Sequence, residues 1–270
     1  MRRPAPSTVR WLMLIAVLVL WEFVPQTEVI PELFLPSLSK TLTVLYENRG
    51  TYFSALLVTL YEVGFAMIIS CGGGILIGAL VGGIMLLRNL LLPIFSSLYA
   101  VPIVILYPIM TAWFGVGSES KIMFSGIYAF FPVMLTAAAG IRTIDPAFLL
   151  AARSMGATRP QLITRVIIPA SVPTVFTALR LGGALTIIGV VVSEMLTSAA
   201  GIGYLVTLNR TILDSPRVFA AILMILVLAV AYYMIARAIE SRMVVWQAAG
   251  KKQQAASRES AAGVPAPQAV

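Results

Sequence analysis

Six apolar runs constrain this chain more than any other feature of its sequence. They lie at about 11–24, 54–87, 93–114, 122–141, 172–196 and 218–239. A helix needs roughly 20 consecutive apolar residues to cross a bilayer core, and most of the runs approach or exceed that length. With 59% hydrophobic and 11% charged residues, a water-soluble fold of 270 residues could not bury its apolar side chains. The runs therefore predict an all-α membrane protein with about six transmembrane helices.

The polar ends of the chain set the predicted domain boundaries. We expect an N-terminal segment at 1–10, a transmembrane domain at 11–240 and a polar tail at 241–270. The first apolar run follows three arginines, as in a signal peptide, but no small-residue cleavage site follows it, and we interpret it as an uncleaved helix. The tail is rich in alanine, proline and polar residues, a composition that predicts disorder.

Lysine and arginine are distributed unevenly between the segments that connect the runs. With the N-terminus inside, cytoplasmic segments hold thirteen of these residues and outer segments hold five. Basic residues accumulate in the cytoplasmic loops of membrane proteins. The distribution predicts that both termini and the loop at 142–169 are cytoplasmic. It also accounts for the net charge of +8 without a nucleic-acid partner.

Missing residue types exclude several kinds of chemistry. The sequence has no histidine and one cysteine, Cys71, so it cannot form a Ser-His-Asp triad, a histidine zinc site or an internal disulfide. It contains no G-x-x-x-x-G-K-[ST] motif for ATP, and its one Gly-Lys pair, Gly250-Lys251, is followed by lysine. We therefore predict that the chain is not an enzyme and binds no metal or cofactor itself.

Three ionisable residues inside the apolar runs, Glu62, Arg180 and Glu194, are candidates for gating or for a translocation path. A charge at the bilayer centre costs about 2.5–3.5 kcal/mol, so such residues need a reason to be there. At a helical rise of about 1.5 Å per residue, both glutamates fall at the outer interface and Arg180 falls about 10 Å inside the inner end. The alternative is that the glutamates are hydrated and Arg180 extends to the interface. Any ion-pair partner of Arg180 must lie on another helix or another subunit.

Glycines recur along two of the runs at spacings that place them on one helix face. They are Gly74, Gly78 and Gly82 in the second run, and Gly182, Gly183 and Gly189 in the fifth. A face without side chains lets a neighbouring helix approach closely. We predict helix packing for these glycines, with the lining of a conduit as the alternative.

The loop at 142–169 contains the stretch AARSMGATRPQLITRVIIP, residues 151–169, which is long and half apolar for a connector. Asp145 followed by a proline predicts an N-cap and a first turn, and Gly156 predicts a stop, so a short helix should span 146–155. A second helix should begin near Arg159 and end at Pro169. Together they predict a helix-turn-helix at the membrane surface.

Side chains of this loop are suited to contact another protein. Ala151 and Ala152 have little bulk and would let a partner approach the backbone, while Arg153, Arg159 and Arg165 can form ion pairs around them. The chemistry of these residues alone nevertheless favours an interfacial connector over a docking site.

The spacing of one residue set changes that balance. The set comprises Ala151, Ala152, Gly156, Val166, Ile168 and Pro169. It resembles the EAA loop of the permease subunits of ATP-binding-cassette importers. In that family the loop binds the ATPase subunit. Leu150 stands where that motif has its glutamate, so the corresponding salt bridge is not expected. The segments 98–122, 129–135, 144–157 and 182–205 are similar to the nitrate, sulfonate and taurine branch of these permeases.

The resemblance implies a type I importer permease: a helical bundle that pairs with a second copy, here expected to be identical, around a translocation path. It implies the bacterial inner membrane as the location and a soluble or lipid-anchored solute-binding protein as an outer partner. It also implies two separate ATPase subunits, which use ATP and Mg²⁺. The solute would be a small anion such as nitrate, a sulfonate or taurine. An ion-coupled secondary transporter and a non-transporting membrane scaffold are the alternatives.

The charge distribution yields a test of topology. In a variant with Cys71 replaced, we expect Thr207→Cys to react with an impermeant thiol reagent on intact cells and Ser154→Cys to be protected. The reason is that the distribution of basic residues places residues 142–169 inside and residues 197–216 outside. Labelling is measured before and after permeabilisation. Labelling of Ser154→Cys alone on intact cells would invert the topology.

Overall fold

Within residues 6–27 and 30–243, which the computed structural model describes, every regular element is a helix. We number the helices α1 (Pro6–Phe23), α2 (Leu38–Glu47), α3 (Arg49–Gly83), α4 (Met85–Tyr99), α5 (Ile103–Phe114), α6 (Ser118–Arg142), α7 (Pro146–Ser154), α8 (Arg159–Leu196), α9 (Ile202–Thr211) and α10 (Ser215–Met243). Helix α1 begins within the segment predicted as a polar N-terminus. Residues 1–5 of that segment and 244–270 of the predicted tail lie outside the described residues.

Among the described residues, five helices are long and apolar enough to cross a bilayer, namely α1, α3, α6, α8 and α10. The predicted span at 93–114 is wrong as a continuous helix, because α4 and α5 meet at a bend of 81°. Pro102 explains the bend, since proline lacks an N–H donor and disfavours helical geometry in the residue before it. The chain reaches six spans if the bent pair counts as one.

Two other predicted boundaries differ from the observed ones. The second run was expected to reach residue 87, but α3 ends at Gly83 because Ile84 is extended, with φ −107° and ψ 113°. The fifth span was expected from residue 172, whereas α8 begins at Arg159 and runs for 38 residues. Helix α8 is therefore about 57 Å long, well beyond a bilayer core of about 30 Å.

Helix α6 is the centre of the bundle and packs against α3 and α8 through the predicted glycine faces. A Cβ atom at Gly78 would lie 2.4 Å from the Met134 carbonyl oxygen, and one at Gly82 would lie 2.6 Å from that of Ala138. A Cβ at Gly182 on α8 would lie 2.4 Å from Val133 Cγ2. These distances leave no room for a side chain, so the packing interpretation of the glycines is confirmed.

A fully buried ion pair joins α3 to the first turn of α6. Lys121 Nζ lies 2.6 Å from Glu62 Oε1, and the two side chains are 4% and 0% exposed. The Ser118 hydroxyl donates to the same oxygen at 2.8 Å. The hydrated alternative for Glu62 is therefore wrong, because protein atoms enclose the carboxylate and supply its counter-charge. Lys121, counted in the sequence as an outer-segment residue, belongs to the helix core.

Removing one member of this pair tests how much the fold depends on it. We expect Lys121→Met to lower the free energy of unfolding by about 3–5 kcal/mol, because the Glu62 carboxylate would stay buried without a counter-charge. The double variant Glu62→Gln/Lys121→Met should recover most of the loss. Thermal or denaturant unfolding of the full chain in detergent measures both. A single variant as stable as the wild type would show that the pair does not couple α3 to α6.

Candidate functional site

Helix α7 is fixed at its start by the predicted cap. The backbone N–H of Ala147 donates to Asp145 Oδ1 at 2.9 Å, and Pro146 occupies the first helical position, where no N–H donor is needed. The helix ends at Ser154, one residue before the predicted end. Both signals in the sequence are confirmed.

The end of α7 is a tight reversal centred on Gly156, whose φ is +78°. Its N–H donates to the Arg153 carbonyl at 2.9 Å, and the Ala157 N–H donates to the Ala152 carbonyl at 3.0 Å. This pair of hydrogen bonds is a Schellman motif, which needs a left-handed residue at this position. No atom lies within 4 Å of the place where a Cβ of Gly156 would be. Backbone conformation, and not lack of space, therefore requires the glycine.

Helix α7 exposes several large apolar side chains and one arginine. Phe148, Leu150 and Met155 are 60%, 68% and 81% exposed. Arg153 and Ala151 are exposed beside them. The prediction that both alanines face a partner is wrong for Ala152, which is 5% exposed on the side of α7 that lies against the first turns of α8.

The chain enters α8 through a capping box, in which the Thr158 N–H donates to Gln161 Oε1 at 2.9 Å. Arg159 and Arg165 follow on the exposed surface. The prediction that this helix ends at Pro169 is wrong, since α8 continues through it. A π-helical turn at Ile163–Ile167 precedes the proline and takes up the change of hydrogen bonding that the missing N–H requires.

Residues 145–165, which we call the 145–165 turn, thus form a rigid unit at one end of the bundle. Caps at both helix starts and the glycine between them fix its shape. It exposes the apolar side chains of Phe148, Leu150 and Met155 and the basic side chains of Arg153, Arg159 and Arg165. Such a surface can dock on a protein groove with an acidic rim. Among the described residues, no group of three or more His, Cys, Asp or Glu side chains could hold a metal ion.

A second group of interacting residues lies at the other end of α8, around Glu194, which is 1% exposed. Its Oε1 accepts a hydrogen bond from the Thr59 hydroxyl at 2.7 Å, and its Oε2 accepts one from the Gly203 N–H at 2.7 Å. The Ile202 N–H donates to Thr59 Oγ1 at 3.0 Å. Side chains of α3 and α8 thus satisfy the first N–H donors of α9, which would otherwise lack partners. The hydrated alternative for Glu194 is wrong.

The segment between α8 and α9 is held by the same groups. Lys121 Nζ donates to Ser198 Oγ at 2.9 Å, and the Ser198 hydroxyl donates to the Ala200 carbonyl at 2.6 Å. Gly201 has φ +102°, and a Cβ there would lie 2.0 Å from Glu194 Oε1. We call Thr59, Glu62, Lys121, Glu194 and Ser198 the buried cluster. It joins the turn at 197–203 to three core helices, α3, α6 and α8.

Arg180 does not belong to the buried cluster. Its Nη1 lies 3.2 Å from Glu240 Oε2, and both side chains are partly exposed. The partner is on α10, another helix, as the sequence predicted. Fourteen residues separate Arg180 from Glu194 on α8, which corresponds to about 21 Å. The structure thus unites two of the three predicted ionisable residues and separates the third.

Thr59, Lys121 and Ser198 are not among the residues that the sequence predicted to be functional. One signal was available, since Thr59 stands three residues before Glu62 and therefore on the same face of its helix. The contact between Lys121 and Glu62 spans 59 positions of the chain and depends on how α3 and α6 pack. No local pattern in the sequence contains it.

Comparisons with known proteins identify the family of this chain. Residues 74–245 match the family described as binding-protein-dependent transport system inner membrane component. The chain is 30% identical to the taurine transport system permease protein TauC of Escherichia coli, over 86% of this chain and 87% of the relative. It is 28% identical to the putative aliphatic sulfonates transport permease protein SsuC of Bacillus subtilis, over 91% of each.

A solved structure shares the fold. The inward-facing MetNI methionine ABC transporter contains a chain that superposes with a TM-score of 0.60 at 16% identity, covering 74% of this chain and 98% of that one. The resemblance deduced from the loop and span motifs is confirmed, and so is the type I importer permease fold. The chain belongs to the family of binding-protein-dependent transport system inner membrane components, the permeases of ATP-binding-cassette importers.

Proposed function

We propose that this chain forms the translocation path of an importer for nitrate or a small sulfonate such as taurine, and that separate subunits hydrolyse ATP for it. The observation that carries the proposal is the 145–165 turn, a rigid exposed surface at the end of a permease bundle. Similarity to taurine and sulfonate permeases supports the solute class. Family membership does not favour a secondary transporter or a scaffold.

The 145–165 turn is the proposed contact with the ATPase. Exposed Phe148, Leu150 and Met155 would enter an apolar groove of that partner, and the arginines would pair with acids at its rim. Ala151 remains open for close backbone approach, whereas Ala152 supports the turn from inside. Two ATPase subunits, with their ATP and Mg²⁺, would bind one turn from each of two permease copies. We propose that these copies are identical.

The proposed orientation follows the distribution of basic residues. The 145–165 turn would lie in the cytoplasm, together with both termini. The turn at 197–203 and helix α9 would then face the outside, where a soluble or lipid-anchored binding protein delivers solute. In this arrangement the buried cluster supports the outer mouth of the path. We propose gating roles there for Glu62 and Glu194, whereas Arg180 would act near the inner end.

A substitution at Gly156 tests the docking proposal. We expect Gly156→Leu to insert into the membrane normally, because the stability of the bundle resides in its spans. A side chain in the left-handed conformation costs roughly 1–2 kcal/mol, so the turn should relax and misdirect α7. ATPase recovered by pull-down from detergent extracts should fall by about tenfold, since interface energy is concentrated in few contacts.

Two controls accompany this variant. Gly50→Leu introduces the same side chain at a glycine that also has open space but has ordinary helical φ, and ATPase recovery should stay at the wild-type level. Leu150→Ala leaves the backbone unchanged and should cause a smaller loss. If Gly156→Leu recovers as much ATPase as the wild type, residues 145–165 are an interfacial connector, and the docking proposal is wrong.

Variants of Glu194 test the role of the buried cluster. Glu194→Ala leaves the Gly203 N–H without its acceptor, and we expect about tenfold lower ATP hydrolysis stimulated by the binding protein while basal hydrolysis persists. Glu194→Gln keeps one oxygen acceptor and should be milder. Both rates are measured in liposomes containing the assembled importer. Wild-type stimulation in Glu194→Ala would restrict the cluster to a structural role.

A further inference from the structure

A cleft with two arginines lies between α4 and the end of α6, apart from the 145–165 turn and the buried cluster. Its volume is about 540 Å³, and it is lined by Arg88, Asn89, Leu92, Pro93, Ser96 and Arg142. The five residues from α4 share one face of that helix, and Arg142 is the last residue of α6. Two cationic side chains from different helices therefore open onto the same space.

Neither arginine is neutralised by a carboxylate in the described part of the chain. The ion pairs found within residues 6–27 and 30–243 involve Lys40, Lys121, Arg180 and Arg217 as the cations. Arg88 is half-buried and Arg142 is exposed. Two guanidinium groups that share a cleft repel each other, and an oxyanion between them would remove that repulsion. Arginine suits this role because its planar fork of N–H donors matches the oxygens of a phosphate.

The depth of the cleft indicates which oxyanion reaches it. Helix α6 spans 25 residues, about 37 Å, so a helix centred on a bilayer core of about 30 Å places its last residue among the lipid head groups. The cleft lining combines polar Asn89 and Ser96 with apolar Leu92 and Pro93. Other apolar residues of α4, such as Leu90, are exposed and could contact acyl chains. Basic pockets between transmembrane helices are typical sites for anionic head groups.

We propose that this cleft binds the phosphate group of an anionic membrane lipid between Arg88 and Arg142. The two guanidinium groups contact the phosphate oxygens, and Asn89 and Ser96 supply further hydrogen-bond donors from α4. The bound lipid connects the bend-forming helix α4 to the central helix α6. This inference does not depend on the proposed function, because it uses only the cleft, its charges and its depth.

The experiment compares lipid retention by the purified full chain in detergent, measured by native mass spectrometry with phosphatidylglycerol or phosphatidylcholine added. We expect the wild type to retain more phosphatidylglycerol than phosphatidylcholine. The amount of phosphatidylglycerol bound to Arg88→Gln/Arg142→Gln should be about tenfold lower than for the wild type, since each lost contact is a charge-assisted hydrogen bond. Arg237→Gln, which removes an exposed arginine outside the cleft, serves as the matched control and should retain lipid like the wild type. Size-exclusion profiles confirm that the variants fold.

A second arm adds inorganic phosphate and methanesulfonate to the lipid-bound wild type. We expect millimolar concentrations of either anion to leave phosphatidylglycerol bound, because neither supplies acyl chains to the apolar flank. Displacement of the lipid by these anions would overturn the proposal in favour of a soluble oxyanion. Equal retention of the two lipids would overturn it because the cleft would then not select an anionic lipid. Undiminished phosphatidylglycerol retention by the double variant would overturn the site itself.

Discussion

The close approach of three helices at glycine faces is the constraint on which the rest of the structure depends. Where Gly78 and Gly82 of α3 and Gly182 of α8 meet α6, no side chain separates one helix from the backbone or short side chains of the next. Helices in a bilayer gain little from burying apolar surface, so van der Waals contact at such faces supplies much of their cohesion. This rigid core holds the 145–165 turn at one end and the buried cluster at the other.

The buried cluster shows how a membrane bundle accommodates charge. Its ion pair alone is weak evidence for stability, because desolvation of two charges offsets much of their attraction. The main effect of the buried cluster is to fix the position of the turn at 197–203. Lys121 is bonded to Glu62 and to Ser198, and Glu194 is bonded to an N–H donor of α9, so side chains from three core helices determine where the turn at 197–203 lies. Loss of one partner would be costly, since it leaves a buried donor or acceptor with fewer hydrogen bonds than it makes here.

Signals that act over a few residues predicted much of this molecule. Apolar runs located the spans, and Asp145 and Gly156 located both ends of α7, because caps and left-handed stops depend on adjacent residues. The errors arose where context overrides local preference. Pro169 indicated a helix end but lies within α8, where a π-helical turn accommodates it. Burial of Ala152 and the pairing of Lys121 with Glu62 depend on tertiary packing, which hydropathy and residue counting do not contain.

The unbroken course of α8 has a mechanical consequence. Helix α8 begins inside the 145–165 turn and ends two residues after Glu194, so one continuous helix connects that turn to the buried cluster. A helix resists stretching along its axis because every turn is closed by hydrogen bonds. A displacement of Arg159 along the axis would therefore be carried toward Glu194 by the helix itself, without a relay of side-chain contacts. The π-helical turn at Ile163–Ile167 is where this helix bends most easily, so a sideways tilt of α7 would be taken up there and would not reach Glu194.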